Sequence, residues 1–192
     1  KKEYDFIYIC LKDGDKKPED KDCPQSWQSR IRDWSTVKKL LDIMCEKYKL
    51  KGLLIGRIGC QIPKQCHQLM ELTDFMEYNT FIKQFNKCKF ILTASYADAS
   101  PRTATEAMCY NLPVLMNKNI LGGWQYLNEK TGAFYDPDNI DAFPETLEKF
   151  STTPKTALIG QALLGSYLLP FEAITILLLG AMVGAVWLAR PE

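Results

Sequence analysis

Residues 89–116 limit most strongly how this chain can fold. Lys89-Phe-Ile-Leu-Thr-Ala-Ser95 is an apolar, strand-like run, and Asp98-Ala-Ser-Pro-Arg-Thr-Ala-Thr-Glu106 follows it. Ser100 is a good helix N-cap and Pro101 suits a first helical position. Thr103 through Cys109 can continue a short helix. Asn111 can end that helix in the left-handed conformation, and Pro113-Val-Leu-Met116 reads as the next strand. Strand, loop, helix, strand is the local form of an open α/β sheet. The loop then sits at a strand's carboxyl end and opens a helix N-terminus. Backbone N–H groups there favour an anion, and Arg102 adds a fixed positive charge. Asp98 and Glu106 bracket the site with acceptor-only side chains, which suit sugar hydroxyls. The plainer reading of Glu106 is an i, i+4 partner of Arg102 on an exposed helix face.

The rest of the first 150 residues alternates in the same way. Tyr4 to Leu11 reads as a buried strand, beginning almost at residue 1, and Lys12 to Pro24 as a charged, solvated loop. Ser35 is expected to cap a helix from about Thr36 to Lys49, with Val37, Leu40, Leu41, Met44 and Cys45 on one face. Lys51 to Arg57 reads as a second strand, Gln61 to Leu69 as irregular, and Leu72 to Tyr78 as a short third strand. Asn79 or Thr80 then caps a helix to about Lys87, with Phe81, Ile82 and Phe85 inward. After Met116 come a Gly122-Gly123 turn, a helix-like Trp124–Glu129, a Thr131–Asp138 segment and a last amphipathic helix from Asn139 to Phe150. Strands alternating with helices imply a parallel, doubly wound sheet. Ligands of such sheets bind outside the strand carboxyl ends, where residues 98–106 would lie.

The chain of 192 residues carries a formal charge of +1, which gives no electrostatic reason to expect nucleic acid. Its seven cysteines, at 10, 23, 45, 60, 66, 88 and 109, form no disulfide-like framework and are expected as reduced thiols of a cytoplasmic protein. Cys60, Cys66 and His67 match no zinc spacing, so no metal is expected. The opening Lys-Lys-Glu-Tyr-Asp has none of the pattern of a secretory leader, so no signal peptide is expected in it. Ser151 to Thr156 reads as a linker, and the composition then changes. Leu168 to Ala189 is a run of 22 residues with one charge, Glu172. At about 1.5 Å per residue that run can cross a bilayer. Gly180, Ala181, Gly184 and Ala185 suit helix packing, while Trp187 and Arg190 sit where an interfacial anchor belongs. A buried hairpin helix is the alternative, and the absence of a polar face argues against it.

The order acid, Ser-Pro, second acid after seven residues, Ala-Met, Pro-Val resembles the donor-site motif of retaining GT-B glycosyltransferases of the group 1 type. Asp98 departs from the family's first glutamate. The resemblance implies the C-terminal, donor-binding half of such an enzyme over about residues 1–150, a Rossmann-like half of the fold. It implies a nucleotide diphosphate sugar as donor, a glycan or lipid acceptor, and no cofactor or required metal. Glu106 would hold the ribose and Asp98 would orient the sugar. Arg30 or Arg32, with Ser100, Arg102 and Thr103, would grip the diphosphate, and Tyr78, with Phe75, would approach the base. The acceptor-binding half is expected to lie outside this chain, leaving the fragment weak or inactive alone. A non-catalytic nucleotide-sugar-binding module is the alternative. Residues 157–192 resemble instead the last transmembrane helix of subunit J of NADH-quinone oxidoreductase, through Tyr167-Leu-Leu-Pro-Phe-Glu-Ala, the Leu-rich run, Gly184-Ala and Leu188-Ala-Arg. That resemblance implies a membrane anchor joined to a glycosyltransferase domain, or a membrane-subunit fragment.

Overall fold

The computed structural model describes residues 2–10 and 27–152, all within one compact unit, Lys1–Thr156. Six strands build it: β1 (Tyr4–Ile9), β2 (Gly52–Ile55), β3 (Met70–Thr73), β4 (Cys88–Thr93), β5 (Val114–Asn117) and β6 (Gly132–Tyr135). All five pairings are parallel, in the order β3-β2-β1-β4-β5-β6. The expected doubly wound α/β sheet is therefore the observed one. The strands are short and apolar because a parallel sheet is covered on both faces; β2 and β5 are buried at every position.

Among the described residues the α-helices are α1 (Trp27–Ile31), α2 (Trp34–Glu46), α3 (Tyr78–Phe85), α4 (Arg102–Cys109) and α5 (Phe143–Thr152), of which the last four cover the sheet. α2 buries Trp34, Val37, Leu40, Leu41, Met44 and Cys45, the stripe read from its period plus the tryptophan. Each such large apolar side chain contributes roughly 1.5–3 kcal/mol of burial. They meet Phe6, Tyr8, Leu54, Phe90 and Leu92 in one core, which α5 extends with Phe143, Leu147 and Phe150. Phe6 and Phe90 are paired in register with ring centroids 5.8 Å apart, and Phe150 caps Phe90 edge-on at 5.1 Å. Ile7, Leu53 and Ile91 have the opposite strand parity and face the side covered by α3 and α4.

Several boundaries differ from expectation. The third strand is Met70–Thr73, not Leu72–Tyr78, because it pairs residue for residue with β2 and ends with it. Gly52 makes that pairing close: a Cβ there would lie 2.4 Å from the Phe6 ring and 2.6 Å from Met70 Sδ. Phe75 is left 69% exposed. The cap of α2 is Asp33, not Ser35. Asp33 Oδ1 accepts the Thr36 N–H at 3.3 Å, and the Ser35 hydroxyl donates to the same oxygen at 2.9 Å. Residues 124–126 form one 3₁₀ turn rather than a longer helix. A second 3₁₀ turn, Ile140–Ala142, precedes α5.

The expectation of reduced thiols fails at Cys45 and Cys66, which are joined by a disulfide across 5.3 Å between Cα atoms. α2 and the 3₁₀ turn Lys64–Cys66 place these two sulfurs together, and nothing in their sequence spacing of 21 announces it. Among the described residues no helix is long and apolar enough to cross a membrane. The apolar run Leu168–Ala189 and the Ser151–Thr156 linker beyond Thr152 lie outside the described residues.

Candidate functional site

The strand order reverses between β1 and β4, the topological switch point where a doubly wound sheet opens a crevice. The segments leaving these two strands meet there. The Tyr96 N–H donates to the Ile31 carbonyl at 3.3 Å, tying the segment after β4 to the end of α1. The buried Tyr8 hydroxyl, near the end of β1, donates to the Arg32 carbonyl at 3.0 Å and so fixes the backbone of that residue. Arg32 then reaches Asp98, with Nη1 3.9 Å from Oδ2 and both side chains about three-quarters buried. A small cavity of about 10 Å³ opens at this point, lined by Arg32, Thr93, Ser95, Pro101 and Thr103 among others. It is an oxygen-sized notch in one wall of an open crevice, too small for a nucleotide.

α4 carries the second acid. Arg102 opens the helix and Glu106 lies one turn on, Nε 3.9 Å from Oε1, with Arg102 88% exposed. An exposed pair at that distance is worth little. The Tyr78 hydroxyl, at the start of α3, donates to the same Glu106 oxygen at 3.3 Å. Partial desolvation, and then the Glu106 carboxylate, raise the Tyr78 pKa above its ordinary value. The crevice rim therefore holds two acids, each beside a cation: Asp98 with Arg32, and Glu106 with Arg102 and Tyr78.

Thr103 lines the cavity with Arg32. Two other expected site residues are placed differently. Ser100 is not the cap of α4: its N–H is taken at 3.0 Å by Asp98 Oδ1, and that local turn holds residues 98–100 out of the helix. Pro101 occupies the cap position instead, without a side-chain bond. Arg30 lies exposed on α1 and does not line the cavity, whereas Arg32 does. Phe75 and Tyr78 are 69% and 56% exposed, so neither is core.

Arg57 had no signal in the sequence beyond an arginine ending an apolar run. It is fully buried. Its Nε donates to the carbonyls of Cys10 at 2.7 Å and Gly56 at 3.0 Å, and Nη1 donates to Ser29 Oγ at 2.8 Å. Its guanidinium lies 5.3 Å from the Trp34 ring. Arg57 thus pins the end of β1 to α1, the helix that leads to Arg32. The Gly122-Gly123 turn packs on the acidic loop. The Gly122 N–H donates to the Asp98 carbonyl at 3.1 Å, and the Leu121 N–H to Tyr96 at 3.2 Å.

This fold recurs in solved structures. The C-terminal domain of the group 1 family glycosyl transferase LpcC from Francisella tularensis superposes with a TM-score of 0.53 at 10% identity, over 81% of this chain and 85% of that one. Sucrose-phosphate synthase from Thermosynechococcus elongatus gives 0.57 at 16% identity, over 98% and 47%. UDP-GlcNAc 2-epimerase from Methanocaldococcus jannaschii gives 0.53 at 11%, over 79% and 40%. The fold shared with these neighbours is a Rossmann-like α/β sheet. This chain spans less than half the length of the synthase and the epimerase. No protein-family model matches the chain. Among curated proteins, NAD(P)H-quinone oxidoreductase chain 6 of Nostoc sp. is 50% identical over 48 residues, 22% of this chain and 24% of that protein.

Proposed function

We propose that residues 1–150 are the donor-binding domain of a retaining glycosyltransferase, taking a hexose from a nucleotide diphosphate sugar. The observation that carries this reading is the placement of Asp98 and Glu106 at either end of the loop-and-helix turn at the switch point, each beside a cation. Glu106 accepts hydrogen bonds from the ribose hydroxyls, with Tyr78 holding its carboxylate in place. Asp98 orients the transferred sugar. Arg32, Arg102 and Thr103, at the N-terminus of α4, balance the charge of the leaving diphosphate, so no metal is needed there. Transfer requires a second wall and an acceptor site, which the described residues do not include. The domain alone is therefore a binding surface with weak turnover, and the whole protein acts on a glycan or lipid acceptor, in or at the membrane side of the cytoplasm.

Titration calorimetry with UDP, GDP and ADP tests the assignment. Glu106→Gln weakens binding by roughly 1.5–3 kcal/mol, the range for a hydrogen bond to a charged group, with the fold intact. Unchanged affinity sinks the ribose role. Incubation with UDP-sugars and analysis of the products separates transfer or hydrolysis from the epimerisation named for one structural neighbour.

A second reading concerns the tail alone. The match to a quinone oxidoreductase chain and the 22-residue apolar run in the sequence favour membrane association through residues 168–189. Carbonate-resistant membrane association of the full chain, lost on deleting 157–192, is the expected result.

A further inference from the structure

Ser95 takes part in none of the roles above, yet its position is unusual. It follows β4 at the switch point and is only 1% exposed. Among the described residues its hydroxyl has no hydrogen-bond partner. A buried hydroxyl without a partner costs stability, so native folds seldom keep one idle. Ser95 lines the small cavity together with Tyr8, Arg32, Thr93, Pro101 and Thr103. A space of about 10 Å³ admits a single oxygen-sized group and no ring. Arg32, which borders that space, also pairs with Asp98 at 3.9 Å, and with the first turn of α4 it can hold an anionic oxygen there in exchange for that carboxylate.

We propose that Ser95 donates a hydrogen bond to one phosphoryl oxygen of a nucleoside diphosphate, forming with Arg32 and Thr103 a subsite that seats a single anionic oxygen. The inference rests on the nucleotide-sugar reading above and adds to it the residue at the bottom of the diphosphate site. The subsite recognises the phosphate and not the base. Inorganic pyrophosphate therefore binds through it, and uridine does not.

Calorimetry on the 192-residue chain with pyrophosphate, UDP and uridine, alongside thermal melts without ligand, tests the proposal. Ser95→Ala lowers affinity for pyrophosphate and UDP by tenfold or more, the effect of one hydrogen bond to a charged acceptor. It leaves uridine unaffected and the unliganded melting temperature equal or higher. Ser95→Gly, which removes the same donor without adding bulk to the space, shows the same direction of loss. Unchanged pyrophosphate affinity in both variants overturns the subsite. So does a melting temperature that falls by several degrees in Ser95→Ala, because the hydroxyl then has a partner within the fold. UDP binding that does not depend on Ser95 leaves the glycosyltransferase reading standing without the subsite. Ser95-dependent pyrophosphate binding with no preference for UDP removes the nucleotide reading and keeps the subsite. A chain that binds neither ligand overturns both.

Discussion

Asp33 sits at φ 47°, in the left-handed region, with its carboxylate turned onto the first turn of α2. It tolerates that conformation because its short polar side chain bonds locally. Asp33→Ala should cost about 1 kcal/mol or more, from the lost cap and the left-handed backbone together, while Asp33→Asn should cost little. Urea unfolding of the two variants checks this, and equal stabilities would remove the capping role. Cys88 makes a pH-dependent case. Burial pushes its thiol from 9.0 to about 12. Between those values the unfolded chain releases a proton that the folded chain keeps. Stability therefore falls as pH rises through that window, and the contribution is fully present below pH 9. Cys88→Ala should flatten the decline measured by urea midpoints from pH 8 to 11. An identical slope in the variant assigns the decline to other buried groups, such as Tyr8 and Cys10, which burial also raises.

At the scale of elements, the loops matter more than the helices. The acidic loop is held from two sides: by the Tyr96 bond to Ile31, and by the Gly122-Gly123 turn. A Cβ on residue 122 would lie 2.0 Å from the Ala99 carbonyl oxygen, a clash with backbone that side-chain rotation cannot relieve. Gly123 has φ 79° and lies against the Pro101 ring. Gly122→Ala should therefore push the 121–126 segment off the acidic loop. The expected result is an affinity for nucleoside diphosphates at least tenfold weaker, for a loss of about 1.4 kcal/mol. Lower stability of roughly 1–3 kcal/mol should accompany it. Wild-type affinity in a folded Gly122→Ala protein would show that the turn does not position Asp98.

For the whole molecule, the described sheet is covered on one face by α2 and α5 and on the other by α3 and α4. The core found among the described residues is drawn from this sheet and its covering helices. Deleting 157–192 should leave the thermal midpoint and nucleotide affinity nearly unchanged and reduce the need for detergent. A truncated protein that unfolds, or that no longer binds nucleotide, would make the tail part of the core and defeat the two-part reading. Arg102→Ala tests the domain's ligand class: UDP, GDP and ADP should lose affinity by similar factors, because a phosphate contact is blind to the base. A loss confined to one nucleotide would move Arg102 away from the phosphates.

The sequence alone determined the alternation of strands and helices, the apolar stripe of α2, the left-handed end of α4 at Asn111 (φ 57°), and the position of the acidic loop after β4. Each of these is local: a period, a turn residue, or an order along the chain. Tertiary structure decided what depends on neighbours distant in sequence. The third strand took its limits from pairing with β2. Arg57 became a buried clamp because β1, α1 and β2 converge on it. Cys45 met Cys66 only once α2 lay beside the 3₁₀ turn. Arg32 was separated from Arg30 as a site residue by two positions of chain. Only the Tyr8 bond to its backbone and the approach of Asp98 made that difference visible.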